Sequence, residues 1–325
     1  MRRLLALSLV LALTLALAPL AVPAFAQGYP NRPLRIIVPT PAGGPVDVMA
    51  RLLANALPAT LGQPVIVENR PGAGNTLGSR QAADAPPDGY TLMVSAASGI
   101  IISPLIYKTA GYDAASFASV ALIAETPQVL VVNPSLPAKT LAEFVALAKA
   151  NAGKLNYSTG GVGTVPHLSA ELFKTVTGTQ ILHVPYKGGG PALTAVVTGE
   201  VQMTMDTLAT SLQMIEAGKL RALAVSATKR SSELPNVPTM AEAGYPALTT
   251  GAWTALLAPH DTPPEIVARL NAATNAALTT ESMAGALKKL GAEPRGGTPQ
   301  ALADHLARER TKWAPIVQAL NLKAD

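Results

Sequence analysis

The chain repeats one pattern: a short β-branched run, a glycine-containing turn and an amphipathic helix. In the first unit, Leu34–Val38 predicts a strand, residues 40–44 a turn, and Pro45 the first position of a helix. Strands are predicted again at residues 65–67 and 90–94. Strands separated by helices favour parallel α/β sheets with right-handed crossovers. The roughly ten predicted elements are more than one sheet of ordinary size needs, so we expect two domains.

No obvious linker separates these two domains. Two stretches, near residues 121–132 and near residues 249–259, are apolar and extended, and we expect the chain to cross between domains at both. The predicted division follows from these crossings: lobe 1 comprises residues 27–125 and 251–325, and lobe 2 comprises residues 126–250.

Residues 1–26 have the organisation of a secretory signal peptide. Arg2 and Arg3 precede an apolar run, and small residues around Ala26 predict cleavage after that residue. A membrane anchor is the alternative, but the apolar run is shorter than the ~20 residues that a span needs. We therefore expect a periplasmic protein.

Composition excludes several classes. The chain of 325 residues has no cysteine, which excludes a disulfide scaffold, a cysteine nucleophile and a lipid-modified N-terminal cysteine. Removing the signal, which holds two arginines and no acidic residue, lowers the formal charge from +5 to +3. With 4 Phe, 2 Trp and 7 Tyr there are few surfaces on which bases or sugars stack. We expect no nucleic-acid partner and disfavour a sugar receptor.

Two glycine-rich turns, one in each predicted lobe, carry the functional signal. We call residues 39–47 the first clamp loop and residues 157–167 the second clamp loop. Each joins the end of a strand to the start of a helix, where free amides and the helix dipole favour an anion. Either turn alone is better explained as a tight connection, whereas the pair favours a ligand clamp. Neither loop contains Lys or Arg, so neutral donors would hold a carboxylate.

Common catalytic and cofactor motifs are missing from the sequence. Residues 72–78 resemble a dinucleotide fingerprint but have an extra residue before the third glycine. No phosphate-binding loop, nucleophile elbow or zinc-protease motif occurs, and the four histidines lack the spacing of metal ligands. We expect no catalytic residue, metal or cofactor. His167 is expected to orient its loop, and Asp206 either caps the next helix or contacts a ligand.

Six motifs follow one another along the mature chain, at residues 37–47, 67–74, 87–92, 184–188, 218–225 and 235–239. Together they resemble the motifs of the Bug-type receptors, the extracytoplasmic substrate-binding proteins of tripartite tricarboxylate transport systems. The resemblance implies an α/β, two-lobed periplasmic-binding-protein (Venus flytrap) fold that closes on a small carboxylate. Each lobe would be a mostly parallel sheet flanked by helices, and two crossover strands would join the lobes.

The resemblance also implies a ligand site in the cleft. Val46 stands where many relatives have Thr, so no hydroxyl contact is carried over there. We expect Asp47 to order its loop rather than to touch an anion, because like charges repel. The turn at residues 95–98 and Asp206 would line the rest of the pocket. The residues carried over are Ala42, Gly43, Asp47, Ser95, Ser98, Thr159, Gly160, Gly163, Thr164, His167 and Asp206.

The function expected is a receptor that delivers a small carboxylate to the membrane subunits of a tripartite tricarboxylate-type transporter. We expect the receptor to be a monomer. A ligand-sensing accessory protein for a two-component system is an alternative that the sequence does not separate from it. A secreted hydrolase is a further alternative, although the sequence contains no recognisable nucleophile–base pair.

Overall fold

The computed structural model describes residues 28–186 and 188–322, so the signal predicted for residues 1–26 lies outside the described residues. Within that range no helix is both long and apolar enough to cross a bilayer. The strands are β1 Leu34–Val38, β2 Val65–Asn69, β3 Thr91–Ala96, β4 Phe117–Val132, β5 Leu155–Thr159, β6 Ile181–Pro185, β7 Met203–Thr207, β8 Arg221–Ser226, β9 Gly251–Pro259 and β10 Glu293–Gly296. The helices are α1 Pro45–Ala56, α2 Pro58–Leu61, α3 Thr76–Ala83, α4 Ser103–Ile106, α5 Leu141–Ala150, α6 Val165–Thr177, α7 Gly189–Thr198, α8 Leu208–Glu216, α9 Pro264–Leu278, α10 Glu281–Lys289 and α11 Pro299–Ala319.

The strands run in the order β2-β1-β3-β9-β4-β7-β5-β6, with β8 and β10 also paired to β4. In the first lobe β1 pairs in parallel with β2 and β3, and in the second β5 pairs in parallel with β6 and β7. Antiparallel pairs join β9 to β3 and β4, and join β4 to β7 and β8. The prediction of a two-lobed α/β fold with parallel units is confirmed.

Strand β4 belongs to both lobes. Its residues Phe117 to Pro127 pair with β9, and its residues Gln128 to Val132 pair with β7 and β8. The chain returns to the first lobe as β9, the strand expected from its apolar run. The partner change falls beside the boundary that we place at residue 125, and the division into residues 27–125 with 251–325, and 126–250, remains our proposal.

The sequence predicts a capping box at two helix starts, formed by Thr140 with Glu143 and by Thr262 with Glu265. The capping box at Thr140 is confirmed, because its hydroxyl accepts the Glu143 N–H at 3.2 Å. A second capping box, expected at Thr262, is wrong: that hydroxyl donates to Pro259 O at 2.7 Å, and Pro263 is the N-cap of α9. A Pro pair follows Thr262, and it moves the helix start beyond the reach of this hydroxyl.

The apolar cores link the lobes through helix α6. One first-lobe cluster contains Trp253 of β9 and Trp313 of α11, and Leu168 of α6 belongs to the same cluster. The other face of α6 contributes Ala170 and Phe173 to the second-lobe core. Because α6 begins within the second clamp loop, at Val165, that loop is held by apolar packing from both lobes.

Candidate functional site

The first clamp loop lies at the carboxyl end of β1 and is fixed by one buried carboxylate. Asp47, 2% exposed, accepts the Gly43 N–H at 2.8 Å and Arg51 Nε at 3.0 Å through Oδ2. Its Oδ1 accepts Asn69 Nδ2 at 2.9 Å, and the same amide nitrogen donates to Thr40 O at 3.1 Å. Asp47 therefore ties the loop to α1 and to the end of β2.

These contacts keep Asp47 ionised. The hydrogen bond from Arg51 is the largest cause that lowers the pKa of the Asp47 carboxyl to about 2, with the Gly43 amide and Asn69 adding to it against the effect of burial. Both carboxylate oxygens already have protein donors. The expected loop-ordering role is confirmed, whereas its contact with a ligand stays a prediction.

Helix α1 begins within this loop, at Pro45, without a side-chain cap. Its N-cap is Gly44 and Pro45 is its first residue, and no side chain accepts from its first-turn amides within the described residues. Uncapped amides and the positive end of the helix dipole therefore lie at the carboxyl edge of the first-lobe sheet. This arrangement can bind an anion without a positively charged side chain.

The second clamp loop is held by hydroxyl and imidazole groups. Thr164 caps α6, accepting the His167 N–H at 3.4 Å, and donates to Gly161 O at 2.8 Å. His167 Nδ1 accepts the Gly163 N–H at 3.2 Å, so the expected loop-orienting role of His167 is confirmed. Thr159 Oγ1 accepts the Gly161 N–H at 3.2 Å.

A histidine pair supports the loop from behind. The ring of His167 stacks on that of His183 with centroids 4.2 Å apart, and His183 Nε2 hydrogen-bonds Thr159 Oγ1 at 2.7 Å. Burial lowers the pKa of His167, and burial followed by the neighbouring His167 lowers the pKa of His183 to about 4. Both rings are neutral at pH 7, so the loop offers an anion no imidazolium.

Close backbone packing explains Gly160. A Cβ atom on Gly160 would lie 2.9 Å from Gly188 C and 2.9 Å from Gly189 N. The two glycine-rich turns at the ends of β5 and β6 thus contact each other through their backbones, which only glycine permits here.

A cavity of about 550 Å³ lies between the lobes. Residues of the first lobe, from the turn after β2 and from α4, face residues of the second clamp loop and the start of α6. A Cβ on Gly163 would lie 3.5 Å from Ile106 Cδ1, which shows how closely the lobes approach. We call the cavity between the lobes the cleft cavity. Its wall is formed by Gly74, Asn75, Ser98, Ile102, Ser103, Ile106, Tyr107, Val162, Gly163, Thr164, Val165, Pro166 and Leu322.

A smaller cavity of about 190 Å³ adjoins it on the second lobe, sharing Thr164 and Pro166 with its wall. Thr159, Gly160 and Asp206 also line this cavity. Asp206 Oδ2 accepts Thr210 Oγ1 at 2.5 Å and Ser211 Oγ at 2.7 Å. The carboxylate is thus fixed by side-chain hydroxyls of α8 rather than by capping its amides.

The structure brings six of the eleven predicted residues to these two cavities: Ser98, Thr159, Gly160, Gly163, Thr164 and Asp206. Ala42 and Gly43 are exposed in the first clamp loop, while Asp47 and His167 are buried behind the clamp loops. The expected turn at residues 95–98 is wrong, because β3 continues through Ala96. Ser95 is a buried strand residue whose Oγ would lie 2.5 Å from a Cβ on Gly99.

Apart from Ser98, sequence reasoning missed the first-lobe wall of the cleft cavity. Gly74 and Asn75 follow β2 as the first clamp loop follows β1, and Ser103 Oγ donates to Gly74 O at 2.5 Å. Parallel strands bring their carboxyl ends to one edge, so the position of this turn after β2 was an available signal. Tyr107 packs against Gly74 and carried no such signal.

Across both cavities, the walls formed by residues 28–186 and 188–322 contain no Lys or Arg, and Asp206 is their one charged residue. Hydroxyls, backbone amides and apolar groups make up the rest. This is the chemistry of a site that holds a small polar solute reversibly.

Two sheets joined by crossover strands, with a cavity between them at the carboxyl edges, define the class of solute-binding receptors. The model of the tripartite tricarboxylate transporter family receptors matches residues 49–322, and the chain belongs to this family. Its members are periplasmic receptors.

Three relatives illustrate the similarity. BugT of Bordetella pertussis is 39% identical over 329 residues, which covers 99% of both chains. The solved structure of R. palustris Rpa4515 with adipate is 38% identical, with a TM-score of 0.74, and the match covers 89% of this chain and 97% of that one. MatC from Rhodopseudomonas palustris with bound malate is 36% identical, with a TM-score of 0.72, and the match covers 89% and 100%.

Proposed function

We propose that this protein is an extracytoplasmic receptor that captures a small organic carboxylate between its lobes and delivers it to the membrane subunits of a tripartite tricarboxylate-type transporter. One observation carries the proposal: hydroxyls and amides of the second clamp loop line the cleft cavity and its smaller neighbour, whose described walls contain no Lys or Arg. The uncapped start of α1 lies at the carboxyl edge of the first-lobe sheet and offers further neutral donors. Family membership supports it, as do the adipate and malate in the solved relatives.

The donors assigned to the carboxylate follow from which amides are free. The Gly43 and Gly163 amides are occupied by Asp47 and His167. We therefore assign the ligand to the uncapped first turn of α1 and to hydroxyls such as Ser98. Both are neutral donors, which desolvate at lower cost than a buried cation and suit rapid release.

Asp206 limits the charge that the ligand can carry. Its carboxylate lines the smaller cavity and has only hydroxyl partners within the described residues. A ligand carboxylate placed beside it would be repelled, whereas a ligand hydroxyl or ammonium group could donate to it. We therefore expect mono- or dicarboxylates to bind more tightly than tricarboxylates.

Native mass spectrometry of freshly purified protein, followed by calorimetry against a carboxylate panel, tests the proposal. We expect a co-purified or titratable mono- or dicarboxylate at one per chain. Binding of amines or neutral sugars with no carboxylate response would contradict the clamp argument.

The variant Gly163→Asp places a negative charge on the wall of the cleft cavity. We expect carboxylate binding to be lost while the protein remains folded. Gly153→Asp is the matched control, because Gly153 also has a positive φ, of 72°, with nothing within 4 Å of its added Cβ, and precedes β5 at the opposite strand end. Unchanged affinity in Gly163→Asp would remove the second clamp loop from the site.

Delivery to a transporter is tested by deleting the gene and measuring uptake of the identified carboxylate. Loss of uptake is expected. Normal uptake with loss of a transcriptional response to the carboxylate would favour the sensory role instead.

A further inference from the structure

A third cavity, of about 350 Å³, lies beside the crossover strands rather than at the clamp loops. Residues of β4, β9, β10 and α11 form its wall together with the segment that follows β8. We call it the hinge cavity, and none of its wall residues also lines the cleft cavity or its smaller neighbour. Its charged residues are Lys229, Arg295, Arg308, Lys312, Glu125, Glu293 and Glu309.

The acidic groups of the hinge cavity are already paired. Glu125 accepts Arg295 Nη2 at 2.6 Å, and Glu293 lies 3.6 Å from Lys229 Nζ and 3.7 Å from Arg295 Nη2. Each of these two carboxylates therefore has a basic partner, which leaves neither free to bind an added cation.

Glu309 is neutralised within the same wall. Its Oε2 accepts Trp253 Nε1 and Trp313 Nε1, each at 2.9 Å, and its Oε1 forms an ion pair with Lys312. Arg308 has no ion-pair partner among the described residues. After all pairs are made, one guanidinium is left uncompensated.

His305 adds an unsatisfied polar atom. Its Nε2 is buried and has no hydrogen-bond partner within the described residues, and its ring meets Trp253 edge to face at 5.0 Å. A buried polar atom without a partner costs about 1–3 kcal/mol. His305 precedes Arg308 by three residues on α11, so both side chains lie on one face of that helix.

We propose that the hinge cavity binds a small oxyanion, held by the Arg308 guanidinium and completed by the imidazole of His305. A guanidinium matches the paired oxygens of an oxyanion, and His305 Nε2 can donate to it or accept from its protonated form. The phosphate and carboxylate groups share this chemistry. This proposal is independent of the carboxylate site in the cleft.

This inference is tested by titrating the mature protein with inorganic phosphate, sulfate or acetate at constant ionic strength. Equilibrium dialysis measures binding of each ion, and ³¹P line broadening measures binding of phosphate as well. We expect saturation at one ion per chain for at least one of the three. Comparing the phosphate and sulfate titrations with the acetate titration distinguishes an inorganic oxyanion from an organic carboxylate as the ligand.

Substitutions on α11 test which residues hold the bound ion. Arg308→Gln should weaken binding at least tenfold, and His305→Gln at least threefold. Arg310→Gln is the matched control, since Arg310 lies on the same helix, does not line the cavity and pairs with Asp113 at 3.8 Å; binding should change less than twofold. Because Arg308 is exposed, its variant decides the question even if His305→Gln does not fold.

The variant Gly163→Asp distinguishes ion binding in the hinge cavity from ion binding in the cleft. Phosphate, sulfate or acetate binding that survives in Gly163→Asp supports the hinge cavity, even if no carboxylate binds the cleft. The inference is overturned if none of the three ions saturates, if Arg310→Gln weakens binding as much as Arg308→Gln, or if Gly163→Asp abolishes it.

Discussion

Single residues of the clamp loops act mainly on the loops themselves. Asp47 and His167 each accept the N–H of a glycine four residues earlier, in separate lobes. The same device is thus built twice, once with a carboxylate and once with a neutral imidazole. In both loops the side chain fixes the backbone, so the neighbouring amides and hydroxyls hold fixed positions before a ligand arrives.

Replacing the carboxylate of Asp47 tests this role. Asp47→Asn should lower the free energy of unfolding at pH 7 by about 1–3 kcal/mol, because charge-assisted hydrogen bonds from Arg51 and Gly43 are weakened. The native pKa, about 2, is below the unfolded value, so the carboxylate stabilises the fold fully above about pH 4. The difference from wild type should fade as the pH falls through 4 towards 2.

Urea denaturation at several pH values measures that difference. Arg269→Gln, a surface variant, controls for the general effect of charge. A difference between Asp47→Asn and wild type that persists unchanged at pH 2 would show that charge on Asp47 is not its cause.

The close backbone packing at Gly160 is tested by adding a Cβ atom there. Gly160→Ala should destabilise the protein by about 1–3 kcal/mol, because a Cβ 2.9 Å from the Gly188 and Gly189 backbone forces the two turns apart. Gly190→Ala is the control: nothing lies within 4 Å of its added Cβ, and alanine favours the helix by about 0.5–1 kcal/mol. Thermal unfolding measures both, and equal effects would contradict the packing argument.

At the scale of elements, α11 holds the crossover region together. Its Glu309 accepts the indole N–H groups of Trp253 on β9 and of Trp313 on α11. Lys312 pairs with Glu309 and also donates to Thr249 O at 3.4 Å, in the segment entering β9. A buried carboxylate therefore links the last helix to the crossover strand, although burial alone opposes its ionised form.

Glu309→Gln tests the link. The amide has one oxygen for the indole donors and Lys312, so at least one buried donor loses its acceptor, and we expect a loss of about 1–3 kcal/mol in unfolding free energy. The near-ultraviolet circular dichroism of Trp253 and Trp313 should change with it. Glu216→Gln, exposed at the end of α8, should stay within about 0.5 kcal/mol of wild type. Equal stability of Glu309→Gln and wild type would contradict the role given to this contact.

At the scale of the whole molecule, the two lobes face each other across the cleft cavity. Among the described residues they are joined by β4, by the segment from β8 to β9, by the packing of α6 and by ion pairs such as that of Lys229 with Glu293. A ligand that contacts both walls is bound best when the lobes close around it.

Ligand binding should therefore compact and stabilise the protein. At a carboxylate concentration of 100 times Kd, we expect about 2.7 kcal/mol of added stability and a smaller radius of gyration. Thermal unfolding and small-angle X-ray scattering measure these effects, with Gly163→Asp as the variant that should show neither. Stabilisation without compaction would indicate that binding leaves the lobe angle unchanged.

Local signals in the sequence determined much of the secondary structure. β-branched runs, glycines and the Thr140 box located the main strands and helices, because each rests on contacts within a few residues. The glycine-rich turns placed the clamp loops, and the apolar run at residues 201–205 placed Asp206 at the end of a strand. By contrast, β10 contains Pro and Gly and forms only because it pairs with β4, which no local pattern predicts.

Tertiary structure decided which groups face the cleft. Packing buries Ser95, Asp47 and His167; Asp47 and His167 make the loop contacts that the sequence predicts, whereas Ser95 lies in β3 rather than in a turn. It also brought Asn75 and Tyr107 to the cleft wall, and Arg308 and His305 to the hinge cavity. Side-chain direction and the approach of distant strands depend on the packing of the entire chain, whereas turn and helix signals are local, so the sequence alone determined the loops and only part of the cavity walls.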